Sequence, residues 1–410
     1  MKVAIIGAGV SGLTSLKYLK ESGHECDVLE QTDQLGGTWV YTDKYGMDDE
    51  LSIHRVMYKD LVTNIPKELM QLPDFPYPTH VEDSYISRQE VLKYIRDFAS
   101  KFDLEKHIHY NAKVTKVEPN DEQWIVRVMD VETKEQRSEC YDAVFICNGS
   151  FLHARTPSIE GQNLFQGLQM HSRDYRTAEL YENKKVLIIG GSFSACDISR
   201  QIAIVAKNVC ISYWNTIPEN IANVIIKPGV KRLYNTGALF VDGSKENFDV
   251  ILYCTGYKHF YPFLTKECGI SVEDNFVRHL YKHIINIERP SLYFIGLPTF
   301  VPVFPMCDTQ VRFAVAALDK KFVPPSKQAM RKDLDEDINK MKNKNVPQRH
   351  FHDIGFGVTE YYADLCQIAG LRSHSESFLS LQEHVLKTIH TSQRNTKYVL
   401  VDEKHFIEIK

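Results

Sequence analysis

The sequence predicts an α/β protein with two parallel-sheet modules, and three observations predict it. The first is the glycine turn Gly7-Ala8-Gly9-Val10-Ser11-Gly12, which follows the short apolar run Lys2–Ile6. The second is a related turn, Gly190-Gly191-Ser192-Phe193-Ser194-Ala195, which follows the apolar run Lys185–Ile189. The third is what comes after each turn: apolar residues at helical spacing, then another short apolar run. Strand, glycine turn, helix and strand make a βαβ unit, and this chain contains it twice.

Each element has its own sequence signal. A short apolar run ending in glycines is the pattern of a parallel strand buried on both faces, so residues 2–6 form the first strand. Leu13, Leu16 and Leu19 supply the apolar stripe of the following helix, and residues 26–29 return as a strand. From about residue 110 to 148 the texture changes to alternation, with Trp124, Val126 and Val128 set against Ile125, Arg127 and Met129. That predicts a small antiparallel meander ending in the apolar run 143–147. The second unit places Ala195, Ile198, Ile202 and Val205 on one helix face and Asn208–Ser212 in the next strand. Residues 249–257 and 291–296 read as further buried strands that end in glycine turns. Beyond Pro324-Pro325, residues 326–345 are dense in both charge signs and predict a solvated helix capped by Ser326. His350 and His352 flank Phe351 without a carboxylate or cysteine at ligand spacing, so no metal site is expected.

Bulk composition narrows the function classes. At 410 residues the chain exceeds what one hydrophobic core usually serves, so two domains are expected. With 43% hydrophobic and 25% charged residues it has the make-up of a soluble globular protein. A net charge of -4 gives no electrostatic footprint for nucleic acid or an anionic membrane, which points to small-molecule partners. Nine cysteines without a C-x-x-C pair argue for a reducing compartment and against a disulfide scaffold or a dithiol redox enzyme. No apolar stretch reaches transmembrane length, so no membrane anchor is expected. Met1 leads straight into the first strand, which predicts a cytoplasmic protein, or a secreted one if a leader was removed.

The glycine turns carry the chemistry. In the first, Gly7 permits the tight turn, Gly9 lets backbone approach a pyrophosphate, and Gly12 lets the helix press on the strand. The helix opens at Val10 and Ser11, and its N-terminal N–H groups and dipole attract phosphates. Glu30 closes the second strand, where a carboxylate accepts hydrogen bonds from both ribose hydroxyls. In the second turn Gly190 is kept, while Ser192 and Ala195 replace the other two glycines and Ser194, Cys196 and Asp197 fill the opening helical turn. Small residues still permit close approach, so a second dinucleotide is expected. The position equivalent to Glu30 falls near Ser212-Tyr213, where no carboxylate repels a 2'-phosphate, and this favours NADPH over NADH. Lys227, Lys231 and Arg232 are either phosphate partners or exposed loop charges. Two dinucleotides held face to face in one chain suggest electron transfer from a nicotinamide to a flavin, hence NADPH and FAD.

With these residues in place, the sequence resembles the flavin-containing monooxygenase family. The resemblance covers nearly the whole chain: the first turn with Glu30, Leu35-Gly36-Gly37-Thr38-Trp39, Thr63-Asn64, Asp74-Phe75-Pro76, the second turn, and Cys254-Thr255-Gly256-Tyr257. Its most specific element is Phe165-x-Gly167-x-x-x-His171-x-x-x-Tyr175, which the related Baeyer-Villiger monooxygenases typically end in tryptophan. The resemblance implies two Rossmann-like domains, with the NADPH domain (156–285) inserted into an FAD domain (1–155 and 286–410). It also implies that NADPH reduces FAD, that O2 then gives a C4a-hydroperoxide, and that an amine or sulfide attacks its distal oxygen. Such an enzyme needs little acid-base machinery, because the cofactor carries the hard step.

By resemblance Asn64 is the catalytic residue, with Thr63 beside it, Thr38 and Trp39 flanking the flavin, and Gln310 near the isoalloxazine. His171 and Tyr175, four apart, would meet on a helix, and are read as structural residues that orient the domain interface. A chain shorter than the vertebrate members and without their C-terminal hydrophobic anchor looks like the soluble insect branch, whose members include N-oxygenases of pyrrolizidine alkaloids such as senecionine. The rival expectations are a Baeyer-Villiger ketone oxygenase and a non-catalytic flavoprotein that senses NADPH.

Overall fold

Strand β1 (Lys2–Ile6) buries four consecutive side chains, Val3 to Ile6, because both faces of its sheet are covered. A computed structural model describes residues 1–44, 47–48, 51–52, 56–214, 221–389 and 394–409. Helix α1 (Val10–Glu21) turns Leu13, Leu16 and Leu19 inward, and β2 (Glu25–Leu29) pairs parallel to β1 with Leu29 opposite Ile6. Helix α2 (Arg88–Lys101) starts where the Ser87 side chain accepts the Glu90 N–H at 3.3 Å. The short strand β3 (Ile108–His109) then adds to β2.

The alternating segment forms the expected antiparallel meander of β4 (Ala112–Asn120), β5 (Gln123–Asp130) and β6 (Gln136–Tyr141). Trp124, Val126 and Val128 line its buried face. Strand β7 (Ala143–Ile146) then joins β1 in parallel on the side away from β2.

A second sheet follows, built from β8 (Leu168–His171), β9 (Lys185–Ile189), helix α3 (Phe193–Ile202), β10 (Asn208–Ser212), β11 (Val224–Lys227) and β12 (Val250–Tyr253). Its order is β8-β12-β9-β10-β11, with every pair parallel. Helix α3 stops at Ile202, so Val205 lies beyond the face on which the sequence places it.

The chain then completes the first sheet with β13 (Leu280–Tyr281), β14 (Ile285–Asn286) and β15 (Leu292–Phe294), giving the order β13-β14-β15-β7-β1-β2-β3. Helix α4 (Val303–Leu318) packs on α1. Helix α5 (Lys327–Asn343) begins at Ser326, whose side chain accepts the Ala329 N–H, and it buries Met330 and Ile338 while its other faces stay solvated. Helices α6 (Val358–Ala369) and α7 (Glu376–Thr388) and the hairpin of β16 (Lys397–Leu400) and β17 (Phe406–Ile409) end the fold. Among the described residues no helix is long and apolar enough to cross a membrane.

The chain divides into two compact units: residues 1–40, 65–150 and 259–410, and residues 41–64 and 151–258. The sequence expectation places the limits at 156 and 286, whereas these units meet at 151 and 259. Residues 259–285 belong to the first unit because the hairpin β13–β14 extends its sheet through β15. Residues 41–64 belong to the second unit, where Tyr58 joins the core of Tyr175, Val186, Ile198 and Leu252.

Candidate functional site

The first glycine turn divides its three roles visibly. Gly7 has φ +105°, and a Cβ there would stand 2.6 Å from the Cys147 carbonyl oxygen. A Cβ on Gly12 would fall 1.9 Å from the Gly7 oxygen, so helix and strand touch at that point. Gly9 differs: its Cβ would meet only Gly37 Cα, at an ordinary 3.6 Å. The protein itself does not fill the space over Gly9, which is where a pyrophosphate needs to come close. Helix α1 has no side-chain cap and no acidic residue in its first turn, so its opening N–H groups and dipole face an anion unopposed.

Glu30, 7% exposed, is already engaged. One carboxylate oxygen accepts the Ala8 N–H at 2.8 Å, and the other accepts the Thr32 N–H and hydroxyl at 2.9 and 2.8 Å. A carboxylate has about four lone-pair positions, so it retains capacity for a ribose hydroxyl. The turn at 35–39 is tied on by Gly36, whose N–H donates to the Ala8 oxygen at 3.0 Å. Thr38 and Trp39 lie half-buried in the following 3-10 turn, and the Trp39 ring meets Phe304 edge-on at 6.4 Å.

The end of β15 and helix α4 close in on the same turn. A Cβ on Gly296 would stand 2.8 Å from Ser11 Oγ, which lies 3.2 Å from Cys307 Sγ. Burial pushes the Cys307 thiol up to about 12, so it serves as a neutral hydrogen-bonding group. Gln310 is fully buried; its carbonyl accepts the Gly296 N–H at 2.9 Å and its amide donates to the Tyr361 hydroxyl at 2.7 Å. Gln310 therefore braces the Gly296 turn, a role that the resemblance did not indicate. Cys147, Gly296 and Cys307 are neighbours that sequence reading missed; only the glycine closing residues 291–296 signalled one of them.

The second turn repeats the geometry with different residues. Gly190 has φ +129°, with a Cβ position 2.2 Å from the Cys254 oxygen. Gly191 is required by Tyr213, whose ring atoms would lie 2.5 to 2.7 Å from its Cβ. Ser192 is the N-cap of α3 and is exposed, and Ser194 is half-buried, with neither a side-chain cap nor an acid in the first turn. Since Leu29 ends β2 opposite Ile6 and Ser212 ends β10 opposite Ile189, Tyr213 is the counterpart of Glu30. No carboxylate occupies that position.

The other residues expected to bind cofactor in this turn, Ala195, Cys196 and Asp197, and the three nearby basic residues also have partners or positions within the unit. Ala195 and Cys196 sit in the core with Ile198, and the Cys196 N–H is used within the helix, donating to the Ser192 oxygen at 3.2 Å. The Asp197 carboxylate accepts the Tyr58 hydroxyl instead of facing the helix N-terminus. Lys227 pairs with Glu246 at 2.9 Å and lies over the Phe240 ring, whereas Lys231 and Arg232 are exposed, with Arg232 4.0 Å from Glu160.

His171 and Tyr175 do not meet, because the stretch is a strand followed by a 3-10 turn. The His171 ring contacts Tyr257, its Nδ1 accepts the Arg173 N–H at 3.0 Å, and burial lowers its pKa to about 4. Tyr175, 1% exposed, packs against Tyr58 and Tyr181. Gly167 is required by the Asp249 backbone oxygen, which would lie 2.4 Å from its Cβ, with the Phe165 ring at 2.6 Å. In the second unit Thr63 is buried and Asn64 is exposed.

Among the described residues no group of three or more His, Cys, Asp or Glu side chains is arranged to hold a metal ion. His350 pairs with Asp353 at 2.6 Å, while buried His352 accepts the Val277 N–H at 3.0 Å and meets His283 at 2.9 Å. The two glycine cradles fit two dinucleotides, one with an acid for a ribose and one without.

Comparisons with known proteins agree with that geometry. A family model described as flavin-binding monooxygenase-like matches residues 1–217 and 213–390. The flavin-containing monooxygenase FMO GS-OX4 of Arabidopsis thaliana is 36% identical over 390 residues, covering 89% of this chain and 84% of the relative. The structure of S-allyl-L-cysteine S-oxygenase from Allium sativum is similar with a TM-score of 0.89 and 32% identity, over 94% of this chain and 92% of that one. Tmm from Pelagibacter sp. strain HTCC7211 has a TM-score of 0.87 at 26% identity, over 97% of this chain and 94% of that one. The chain is thus an FAD-dependent enzyme that uses NADPH, and it belongs to the flavin-binding monooxygenase-like family.

Proposed function

We propose that this monooxygenase oxygenates a soft sulfur or nitrogen nucleophile. The observation that carries the reading is the pair of cradles: two uncapped helix N-termini behind glycine turns, with Glu30 beside the first and Tyr213 at the matching place in the second. The likeness to an S-allyl-L-cysteine S-oxygenase over 94% of the chain supports a thioether as substrate. Bound FAD, reduced by NADPH, supplies the activation of O2. The chain's own residues bind and orient.

In this reading Gly7, Gly9, Val10, Ser11 and Gly12 receive the FAD pyrophosphate, Glu30 receives its ribose, and Thr38 and Trp39 flank the ring system. Gly190, Ser192 and Ser194 receive the NADPH pyrophosphate, and Tyr213 leaves the 2'-phosphate unopposed. Asn64 acts at the reacting centre with Thr63 fixing its backbone, since a carboxamide both donates and accepts. Among amines, the tertiary nitrogen of pyrrolizidine alkaloids is the substrate proposed.

The test is a competition. Purified enzyme with NADPH and O2 is offered S-allyl-L-cysteine, senecionine and cyclohexanone in separate and mixed reactions, with products identified by mass. A sulfoxide or N-oxide as main product is the expected outcome; preferential formation of the lactone would overturn the reading in favour of a Baeyer-Villiger enzyme.

A further inference from the structure

The second unit contains a polar network that neither cradle uses. The Tyr58 hydroxyl donates to Asp197 Oδ2, and the Gln201 amide donates to the same oxygen at 3.4 Å. Gln201 also donates to the Asp60 carbonyl at 3.4 Å and accepts the Tyr175 hydroxyl at 3.0 Å. The Tyr58 and Tyr175 rings pack edge to face at 5.4 Å, and the Lys59 N–H donates to the Arg176 oxygen at 2.9 Å. Residues 58–61 are therefore pinned to α3 at two side chains one helical turn apart. Asn64 follows a few residues later.

Burial of a carboxylate is costly unless hydrogen bonds compensate it, and Asp197 is 7% exposed. An apolar residue would pack α3 without that cost. Turned toward the helix N-terminus, the same carboxylate would repel a phosphate. Held by Tyr58 and Gln201, it is directed at the segment that leads to Asn64.

We infer that Asp197 is a positioning residue that couples occupancy of the NADPH cradle to the placement of Asn64, acting through Tyr58. The nucleotide phosphates fix the first turn of α3, and the network passes that order to residues 57–64, so Asn64 is held in place while the nucleotide is bound. This rests on the reading of Asn64 given above.

The test uses the full-length enzyme loaded with FAD, in wild-type form and as Tyr58→Phe and Asp197→Asn. Hydrogen exchange followed by mass spectrometry reads the backbone of residues 57–64 and 190–197 with and without NADP+, and a second assay measures product formed per NADPH consumed. In the wild type NADP+ should slow exchange in both segments. In Tyr58→Phe the slowing should survive at 190–197 and vanish at 57–64, with product per NADPH falling about ten- to a hundredfold, the effect of one hydrogen bond to a charged group. Asp197→Asn keeps an acceptor for the phenol and should retain most of the coupling. Wild-type protection at 57–64 in Tyr58→Phe, or unchanged product per NADPH, overturns the inference. Asn64→Ala separates the two failures: if it uncouples the reaction while Tyr58→Phe does not, only the coupling through Asp197 is wrong, and if it couples normally the role of Asn64 is wrong.

Discussion

Glu30 accepts the backbone N–H of Ala8 at 2.8 Å, which ties the end of β2 to the turn that opens α1. The same carboxylate holds Thr32 through its other oxygen. One acid therefore shapes the cradle and remains available to a ribose.

Replacing Glu30 removes both contributions. Glu30→Ala should purify largely colourless, with FAD affinity roughly ten- to a hundredfold weaker, the cost of losing charge-assisted hydrogen bonds. The ratio of flavin to protein absorbance checks it, and full yellow occupancy would show that the acid is not the ribose partner.

Tyr213 stands as the counterpart of Glu30, with no carboxylate to oppose a 2'-phosphate. Tyr213→Asp places a carboxylate where the proposed reading puts the 2'-phosphate, and like charges in contact repel. The ratio of kcat/KM for NADPH to that for NADH should fall at least about tenfold. Taking the ratio cancels damage common to both nucleotides, including loss of the ring that packs on Gly191. An unchanged ratio would move the 2'-phosphate elsewhere.

Asn64→Ala should still allow NADPH to reduce FAD but release hydrogen peroxide in place of product. Leaving a polar partner unsatisfied costs roughly 1 to 3 kcal/mol, which lowers product formed per NADPH by about ten- to a hundredfold. Peroxide and product are measured in the same reaction.

Acid should destabilise the fold early. Burial lowers the pKa of His171, His259, His283 and His374 to about 4 and holds His352 well below its usual range. In the unfolded chain an imidazole titrates near about 6.5, so between about pH 6.5 and 4 the unfolded chain binds more protons than the folded one. The contribution is full above about pH 6.5 and is lost as pH falls, with each group giving up to roughly 1.4 kcal/mol per pH unit. The urea midpoint measured from about pH 8 to 5 should drop through this window, and a constant midpoint would contradict the burial of these rings.

Much of this was legible in the sequence because parallel strands buried on both faces leave unbroken apolar runs. Lys2–Ile6, Lys185–Ile189 and Asn208–Ser212 each fall where those runs predict. Glycines that meet backbone also announce themselves, as Gly7 and Gly190 do. The extent of the first sheet was less legible: the hairpin strands β13 and β14 are two residues each, too short to carry a period in the sequence. Side-chain roles decided by distant partners left no local signal. Gln310 holds Gly296 and Tyr361, Asp197 receives Tyr58, and His171 and Tyr175 turn apart because their stretch is extended.

The most direct test of the central claim mixes the NADPH-reduced enzyme with O2 and follows flavin absorbance in a stopped-flow instrument. The expected result is reoxidation through a long-lived state distinct from both reduced and oxidised flavin, whose decay accelerates when a thioether or tertiary amine is added. A single-phase return to the oxidised spectrum, at a rate no nucleophile changes, would contradict it.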